Sequence, residues 1–419
     1  MPADRPSFPE PMTHRIAAAE AARCLLCHDA PCSAACPAGT DPAKFIRSLR
    51  FRNPKGGAET IREANVFGAC CALVCPYDRL CEGACARCGI DRPIEIGRLQ
   101  AYLTEQESLF GMEILKAPPA DKEKVACIGA GPASLACAAA LRMKGYDVTV
   151  FEAREKAGGM LTHAIPEFRL PQKTVDAEIE RIEKLGVKIV LNTPFGRDFP
   201  AKELKRQGFK AVFLGVGLQA SRKINLPGSD LDGVIDALPF LEAAKKGRKV
   251  VEPQDSVVVV GGGDVAMDCA AAAKLSGAAS VTVVYRRTLA DAPADRREIA
   301  FAQSLGVAFM YGFSPKKVVG RNGKAFLFRA RSTDELSEIE LRANRVILAV
   351  GQDFKKPNAG CALLPDGKGR IHTVDSMTSK EGYFAGGDVV NGGSTVVQAV
   401  ADGKAAAERI ALYLENRPK

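Results

Sequence analysis

The stretch Val125–Glu152, VACIGAGPASLACAAALRMKGYDVTVFE, decides how this chain is read. Val125–Ile128 is a short apolar strand, and Gly129, Ala130, Gly131, Pro132, Ala133 and Ser134 form a Gly-rich turn. Leu135–Lys144 then carries apolar residues at helical spacing until Gly145 ends it, and a second strand runs to Phe151. Strand, turn, helix and strand make a dinucleotide-binding βαβ unit. The first Gly permits a tight turn, the second lets the backbone reach a pyrophosphate, and the helix N-terminus offers free N–H groups and a partial positive charge. Glu152 follows Gly129 by 23 residues, at the end of the second strand, where a carboxylate accepts from ribose hydroxyls. The third Gly of the fingerprint is replaced by Ser134, while strand, helix and acid are all in register.

Outward from this unit the pattern recurs once. Val257–Val260 lead into Gly261, Gly262, Gly263, Asp264, Val265 and Ala266, a helix to Leu275, Gly277, and a strand Val281–Tyr285. The second strand ends in Arg286 and Arg287 where the first had Glu152. An acid suits a free 2′-hydroxyl and arginines a 2′-phosphate, so the first unit favours FAD or NAD and the second NADPH. Between the units, the prolines of Ile165–Pro171 delay a helix to Gln172–Leu185, followed by strands Val187–Leu191 and Ala211–Leu214. Residues 324–341 read as a β-meander ending in a strand Arg345–Val350. Gly382–Asp388 is a strand ending in an Asp, followed by a long Ala-rich helix from about Ser394 to Leu414. That arrangement suits a flavin's ribityl chain and sets a helix dipole near its ring. Without strand partners of its own, this tail is expected to complete the first unit, making the second an insertion.

The 419 residues have room for about three domains, and 47% hydrophobic with 26% charged residues is an ordinary soluble composition. The net charge of +9 is spread through the sequence and fits a solvated basic surface at least as well as an acidic partner, and no nucleic-acid or membrane partner is expected. No long uncharged apolar stretch and no N-terminal hydrophobic segment occur, so a cytoplasmic protein is expected. Ten of the 14 cysteines nevertheless lie between Cys24 and Cys88. In a reducing compartment such clustering argues for metal ligation over disulfides.

Cys24, Cys27, Cys32 and Cys36 are spaced C-x2-C-x4-C-x3-C-P, close to the ferredoxin run that holds a [4Fe–4S] cluster. Cys75, Cys81 and Cys85 repeat it in near mirror image, C-P-x4-C-x3-C, and two facing halves imply two clusters. Two such clusters need eight ligands, and the runs supply seven. By spacing alone the eighth is Cys70, Cys71, Cys88 or an oxygen ligand nearby. Zinc staples would use similar spacing, but zinc knuckles come as paired C-x2-C and one pair is present. Cys127, Cys137, Cys269 and Cys361 read as small core residues. Helical periodicity over 41–67 is broken by Asn53-Pro54 and Gly56-Gly57, a helix Ile96–Phe110 closes the region, and Ala117–Ala120 is a linker. The expected fold is α/β: an α-helical iron–sulfur domain (1–116), then two Rossmann-like domains. The first, for FAD, spans 121–254 and 347–419, and the second, for NAD(P)H, spans 255–346.

Nicotinamide yields a hydride while clusters take single electrons, so a flavin must stand between them. Hydride transfer needs no nucleophile–His–acid constellation, and none is evident; the lack of a C-x2-C within 255–346 disfavours a dithiol reductase. The segments CLLCHDAPCSAACPAGTDPAKFIRSLRFRN, VCPYDRLCEGAC, IEIGRLQ, GAGPAS, IPEFRLP, GGGDVAMD, AVGQ and AGGDVV span essentially the whole chain. Together they resemble the small subunit of bacterial dihydropyrimidine dehydrogenases and the N-terminal half of the animal single-chain enzyme. The glutamate synthase small subunit is a sibling family with the same architecture.

The resemblance implies one cluster on Cys24, Cys27, Cys32 and Cys85 and another on Cys36, Cys75, Cys81 and Gln100. It implies FAD on Gly129 to Ser134, Glu152, Gly159, Arg169, Gly387 and Asp388. It places the nicotinamide cofactor on Gly262, Gly263, Asp264, Val265, Arg286, Arg287 and the Ala349–Gly351 turn. The bacterial family is described as NAD-dependent, whereas Arg286-Arg287 resembles its NADPH-using relatives. The chain would pass electrons to an FMN and iron–sulfur partner subunit that reduces uracil or thymine, in a heterotetramer of two subunits each. Two other readings are a glutamate synthase small subunit, against which HDAPCSAACPAGTDP stands, and a zinc-stapled nucleotide-binding scaffold, which iron and sulfide analysis would separate.

Overall fold

The computed structural model describes residues 11–196, 199–354 and 365–416, and Cys361 lies outside them. Helices come first: α1 (His14–Ala22), α2 (Pro31–Ala34), α3 (Pro42–Arg50), α4 (Pro54–Ala64), α5 (Gly68–Val74) and α6 (Ile96–Leu109). The side chains of Thr13, Asp41 and Asn53 cap α1, α3 and α4, and Pro42 and Pro54 occupy first turns, where a missing N–H costs nothing. The expected break at Asn53-Pro54 is therefore real, but Gly56-Gly57 lies inside α4 and breaks nothing. A Cβ on Gly57 would stand 3.0 Å from the Leu103 methyls, so the residue lets α4 approach α6 closely. Phe45, Ile46, Ile61, Ile96, Leu99 and Leu103 form the core between these helices.

The first nucleotide-type unit follows as β1 (Lys122–Ile128), α7 (Pro132–Met143), β2 (Tyr146–Phe151), α8 (Met160–His163), α9 (Gln172–Lys184), β3 (Lys188–Val190), α10 (Ala201–Arg206) and β4 (Ala211–Leu214). The second comprises β5 (Ala220–Ser221), β6 (Val234–Asp236), α11 (Ala237–Lys245), β7 (Ser256–Val260), α12 (Asp264–Leu275), β8 (Ser280–Tyr285), α13 (Arg296–Ser304) and β9 (Ala308–Tyr311). It continues through an antiparallel sheet of β10 (Phe313–Arg321), β11 (Lys324–Ser332) and β12 (Glu338–Arg342) to β13 (Arg345–Leu348) and β14 (Gln352–Asp353). The chain then returns as β15 (Thr373–Val374), β16 (Met377–Thr378), β17 (Tyr383–Ala385), α14 (Asp388–Asn391) and α15 (Val396–Glu415).

Strand β17 pairs in parallel with β4, giving the order β15-β16-β17-β4-β1-β2-β3, so the tail completes the first sheet and the second unit is an insertion. The inserted sheet, β6-β13-β7-β8-β9, is parallel throughout. Continuous apolar runs such as Val257–Val260 suit strands covered on both faces. The chain divides into two compact units, one of residues up to Thr162, Glu167–Leu218 and from Phe354 onward, the other of His163–Pro166 and Gln219–Asp353. The insertion thus reaches beyond 255–346 on both sides, because β6 adds to β13 and β5 pairs with β14. The meander also opens earlier than residue 324, at Phe313. FSPKKVVGR keeps no clean alternation, and its pairing with β11 slips twice. Among the described residues no helix is long and apolar enough to cross a membrane.

Candidate functional site

In the first unit the Gly-rich turn is closed on itself by contacts that only glycine allows. Gly129 has φ +86°, and a Cβ there would stand 2.9 Å from Gly215 O. Gly159 has φ +55° and would push a Cβ to 2.8 Å from the Cα of Gly131. Leu135 N–H makes the bond to Gly131 O at the start of α7, so the N–H groups of Ala133 and Ser134 precede the helical ladder and are available to a phosphate. Ser134 Oγ instead donates to Ile128 O (3.2 Å), which accounts for Ser in the third Gly position: its hydroxyl ties helix to strand. Glu152 is buried and accepts from Ala130 N–H (2.6 Å) and Arg154 N–H (2.9 Å), so its carboxylate also braces the turn. Arg169 is buried in the same unit. Gly387 (φ +74°) comes within reach of Ala133, and its N–H donates to Asp402 Oδ2 (3.0 Å). Asp388 accepts from Ser394 N–H (3.1 Å), and burial, with Asp402 nearby, raises its pKa.

In the inserted unit Gly261 (φ +145°) faces Ala349 O, and Gly262 lies against the Tyr285 ring, where a Cβ would meet carbons at 2.5 Å. Asp264 Oδ1 accepts from Asp295 N–H (2.7 Å) and Ala294 N–H donates to Gly262 O (3.1 Å), so the loop before α13 is laced to the glycine turn. Val265 lies in the first turn of α12, and Gly263 caps it. Arg286 and Arg287 are exposed just beyond β8. Ala349 N–H donates to Val260 O (2.8 Å), and Gly351 O accepts from Arg222 N–H (3.0 Å).

No disulfide joins the described cysteines, and those of the two runs lie close to one another. Cys24, Cys27, Cys32 and Cys85 line one hollow with Ile46 and Ile96. Burial pushes the Cys32 thiol up to about 11 and raises that of Cys24, and Cys85 adds to both. Cys36, Cys75 and Cys81 lie near one another, and Cys81 is also near Cys32 of the first hollow. Cys75 is held far up by a hydrogen bond with Cys71, by burial and by Cys81 and Cys36, and Cys81 is raised by burial, Glu82 and Cys36. Thiols crowded in this way ionise when a bound metal ion or cluster supplies positive charge. Among the described residues no three His, Cys, Asp or Glu close on a single ion.

Gln100 is buried and its Nε2 donates to Gly68 O (2.7 Å), which leaves Oε1 for another partner. Gly68 opens α5 and Cys75 caps its other end. Of the cysteines left open as the eighth ligand, Cys71 meets Cys75, Cys70 is buried near Glu178, and Cys88 is exposed with Sγ 3.3 Å from Glu82 O.

Sequence reasoning missed a buried ion-pair network. Arg62 Nε donates to Glu107 Oε2 (2.8 Å), its Nη1 pairs with Glu178, and Arg181 Nε approaches Glu107 Oε1 at 3.2 Å. Glu178 stands on the apolar stripe Val175, Glu178, Ile179, Ile182 of α9, and a charge on such a stripe was the available signal. Lys404 was also missed: its Nζ donates to Ala38 O (2.8 Å) and Ala64 O (2.6 Å).

A family model described as dihydropyrimidine dehydrogenase domain II, 4Fe-4S cluster, matches residues 5–111, and one described as pyridine nucleotide-disulphide oxidoreductase matches 123–403. The chain is 46% identical over 404 residues to the NAD-dependent dihydropyrimidine dehydrogenase subunit PreT of Escherichia coli (strain K12), covering 96% of each. It is 36% identical over 440 residues to the glutamate synthase [NADPH] small chain of Halomonas elongata, covering 97% of this chain and 92% of that one. Among solved structures, Mycobacterium tuberculosis FprA in complex with NADPH matches 71% of this chain and 85% of its own with a TM-score of 0.59 at 19% identity. Lactococcus lactis thioredoxin reductase matches 71% of this chain and 100% of its own with a TM-score of 0.58 at 21% identity. These two likenesses are of fold. At this identity and coverage the chain belongs to the PreT family of dihydropyrimidine dehydrogenase subunits, NAD(P)H-dependent flavin and iron–sulfur oxidoreductases.

Proposed function

We propose that the chain takes hydride from NADPH and delivers single electrons, through two [4Fe–4S] clusters, to an FMN-bearing partner subunit that reduces uracil or thymine to the 5,6-dihydro form. The observation that supports this reading is a hollow lined by Cys24, Cys27, Cys32 and Cys85, with Cys36, Cys75 and Cys81 near one another in the same compact unit as the first glycine turn. Bound FAD supplies the exchange between a two-electron donor and one-electron acceptors. The chain's own part is to bind and orient. Gly129 to Ser134 would receive the pyrophosphate, Glu152 the ribose hydroxyls, Gly159 and Arg169 the flavin's flanks, and Gly387-Asp388 the ribityl chain.

Cys24, Cys27, Cys32 and Cys85 would hold one cluster, and Cys36, Cys75, Cys81 and Gln100 the other. In the inserted unit Gly262–Val265 and Ala349–Gly351 would hold the nicotinamide cofactor. Arg286 and Arg287 direct the choice to NADPH, although the PreT relatives are named NAD-dependent. The partner is a second subunit in a heterotetramer, in the cytoplasm, with neither nucleic acid nor membrane involved.

The test is stopped-flow reduction of the anaerobically purified chain by NADH and NADPH in turn, following flavin bleaching and cluster absorbance. Fast bleaching by NADPH, with cluster signals following and about eight irons per chain, is expected. Flavin that neither nucleotide reduces would overturn the electron path, and faster reduction by NADH would overturn the choice of nucleotide. Adding an FMN-barrel partner with uracil, or a glutamate-forming partner with glutamine and 2-oxoglutarate, decides between the pyrimidine reading and that of the glutamate synthase small chain.

A further inference from the structure

One turn of α15 addresses three parts of the molecule at once, because successive helical residues point about 100° apart. Asp402 accepts from Gly387 N–H (3.0 Å) and Asn391 Nδ2 (3.0 Å), beside the proposed ribityl site. Gly403 lies flush on α7: a Cβ there would stand 2.1 Å from Ala133 O and 3.1 Å from Cys137 N. Lys404, half-buried, donates its ammonium to two backbone carbonyls from the cysteine-rich region, Ala38 O at 2.8 Å and Ala64 O at 2.6 Å. Ala38 is two residues past Cys36, and Lys404 stands within electrostatic reach of that thiol. Among the described residues no carboxylate comes within ion-pair distance of Lys404, and the nearby Glu408 pairs instead with Lys144 (2.9 Å). A half-buried ammonium whose direct acceptors are neutral carbonyls is not neutralised by a paired carboxylate.

We infer that Lys404 is a positioning residue of the iron–sulfur relay: it fastens the segment after Cys36 to the flavin-side helix and holds the reduction potential of the cluster at Cys36 up. A [4Fe–4S] core with its thiolates is anionic, and reduction adds one electron and one further negative charge. A fixed cation therefore favours the reduced form. The electron comes from NAD(P)H by way of the flavin, and no proton or co-reactant beyond the proposed activity is needed. The inference rests on the proposed assignment of Cys36 as a ligand.

The test is an EPR-monitored redox titration of the anaerobically reconstituted full chain, with iron content measured alongside, for wild type, Lys404→Gln, Lys404→Arg and Cys36→Ser. Lys404→Gln can still donate a hydrogen bond but has no charge. It is expected to move one cluster midpoint to more negative potential, with the other midpoint and the rate of flavin reduction by NAD(P)H unchanged. Lys404→Arg should restore the wild-type midpoint. If Gln loses iron from one cluster while Arg keeps it with the wild-type midpoint, the charge requirement stands. Unmoved midpoints in Lys404→Gln, or equal iron loss in Gln and Arg, overturn the role of the charge. Cys36→Ser separates the two layers of argument. If it perturbs one cluster while Lys404→Gln moves nothing, the Lys404 inference alone fails; if it perturbs neither, the ligand assignment fails and takes the inference with it.

Discussion

Gly159 is held at φ +55° with the Cα of Gly131 so close that a methyl group there would stand 2.8 Å away. Neither atom is the end of a flexible side chain, so the backbone must move. Gly159→Ala is expected to fold but to release flavin, read as loss of bound-flavin absorbance after gel filtration, and full retention would show that the turn is not the cofactor's cradle. Arg286 and Arg287 invite a second test at the same scale. A charge-assisted hydrogen bond to a 2′-phosphate is worth about 1.5–3 kcal/mol, or roughly 10- to 150-fold in affinity. Replacing either Arg by Ala should therefore raise KM for NADPH by about that factor and leave KM for NADH in place. An unchanged KM for NADPH would assign the pair to solvent.

At the scale of elements, α4, α6 and α9 are pinned together by Arg62, Glu107 and Glu178, each no more than 2% exposed. Glu107 and Glu178 raise the Arg62 pKa against its burial, which fixes its charge. Removing one member strands buried charge, at a cost of about 3–5 kcal/mol. Arg62→Met should lower the thermal midpoint of the full chain clearly more than the concerted replacement of all three by apolar residues. Equal losses would mean that the charges are not coupled.

In the inserted unit, Asp255 joins the entry of β7 to β13 by accepting from Asn344 Nδ2 and Arg345 Nε (2.6 Å). Burial raises its pKa, but the hydrogen bonds from Glu252 N–H, Arg345 and Asn344 outweigh it and leave the carboxyl below its usual range. A folded-state value below the unfolded one gives stability that is present above about pH 4 and lost as pH falls through the folded value. Asp255→Asn should thus lower stability at neutral pH and flatten its decline below about pH 4, in urea titrations followed by far-UV circular dichroism. A decline as steep as wild type would remove Asp255 from the acid response.

On the scale of the whole molecule, the proposed division of labour predicts NAD(P)H-driven reduction of ferricyanide by the purified chain and no reduction of uracil until a partner is added. Uracil reduction by the chain alone would sink it. The parts of this molecule that could be read from sequence are those whose signals are local. GAGPAS and GGGDVAMD write strand, turn and helix within a dozen residues, and the cysteine runs separate by spacing alone. What stayed hidden depends on partners far along the chain. Glu178 meets Arg62 across 116 positions and Lys404 meets Ala38 across 366, and no periodicity records a contact at that range. The borders of the insertion were hidden for the same reason, since β6 belongs to it only by virtue of pairing with β13.

The pairing of β17 with β4 has a consequence in time. During synthesis Ala211–Leu214 emerges long before Tyr383–Ala385, and Gln219–Asp353 emerges between them. Until then the nascent first sheet has a bare edge at β4, and α7 lacks the cover that Gly403 and its neighbours bring. Closing so distant a pair is a slow, late step. Flavin capture is therefore expected only once Tyr383–Ala385 has paired with β4, and the interval before it is when the chain is most open to misassembly through that edge.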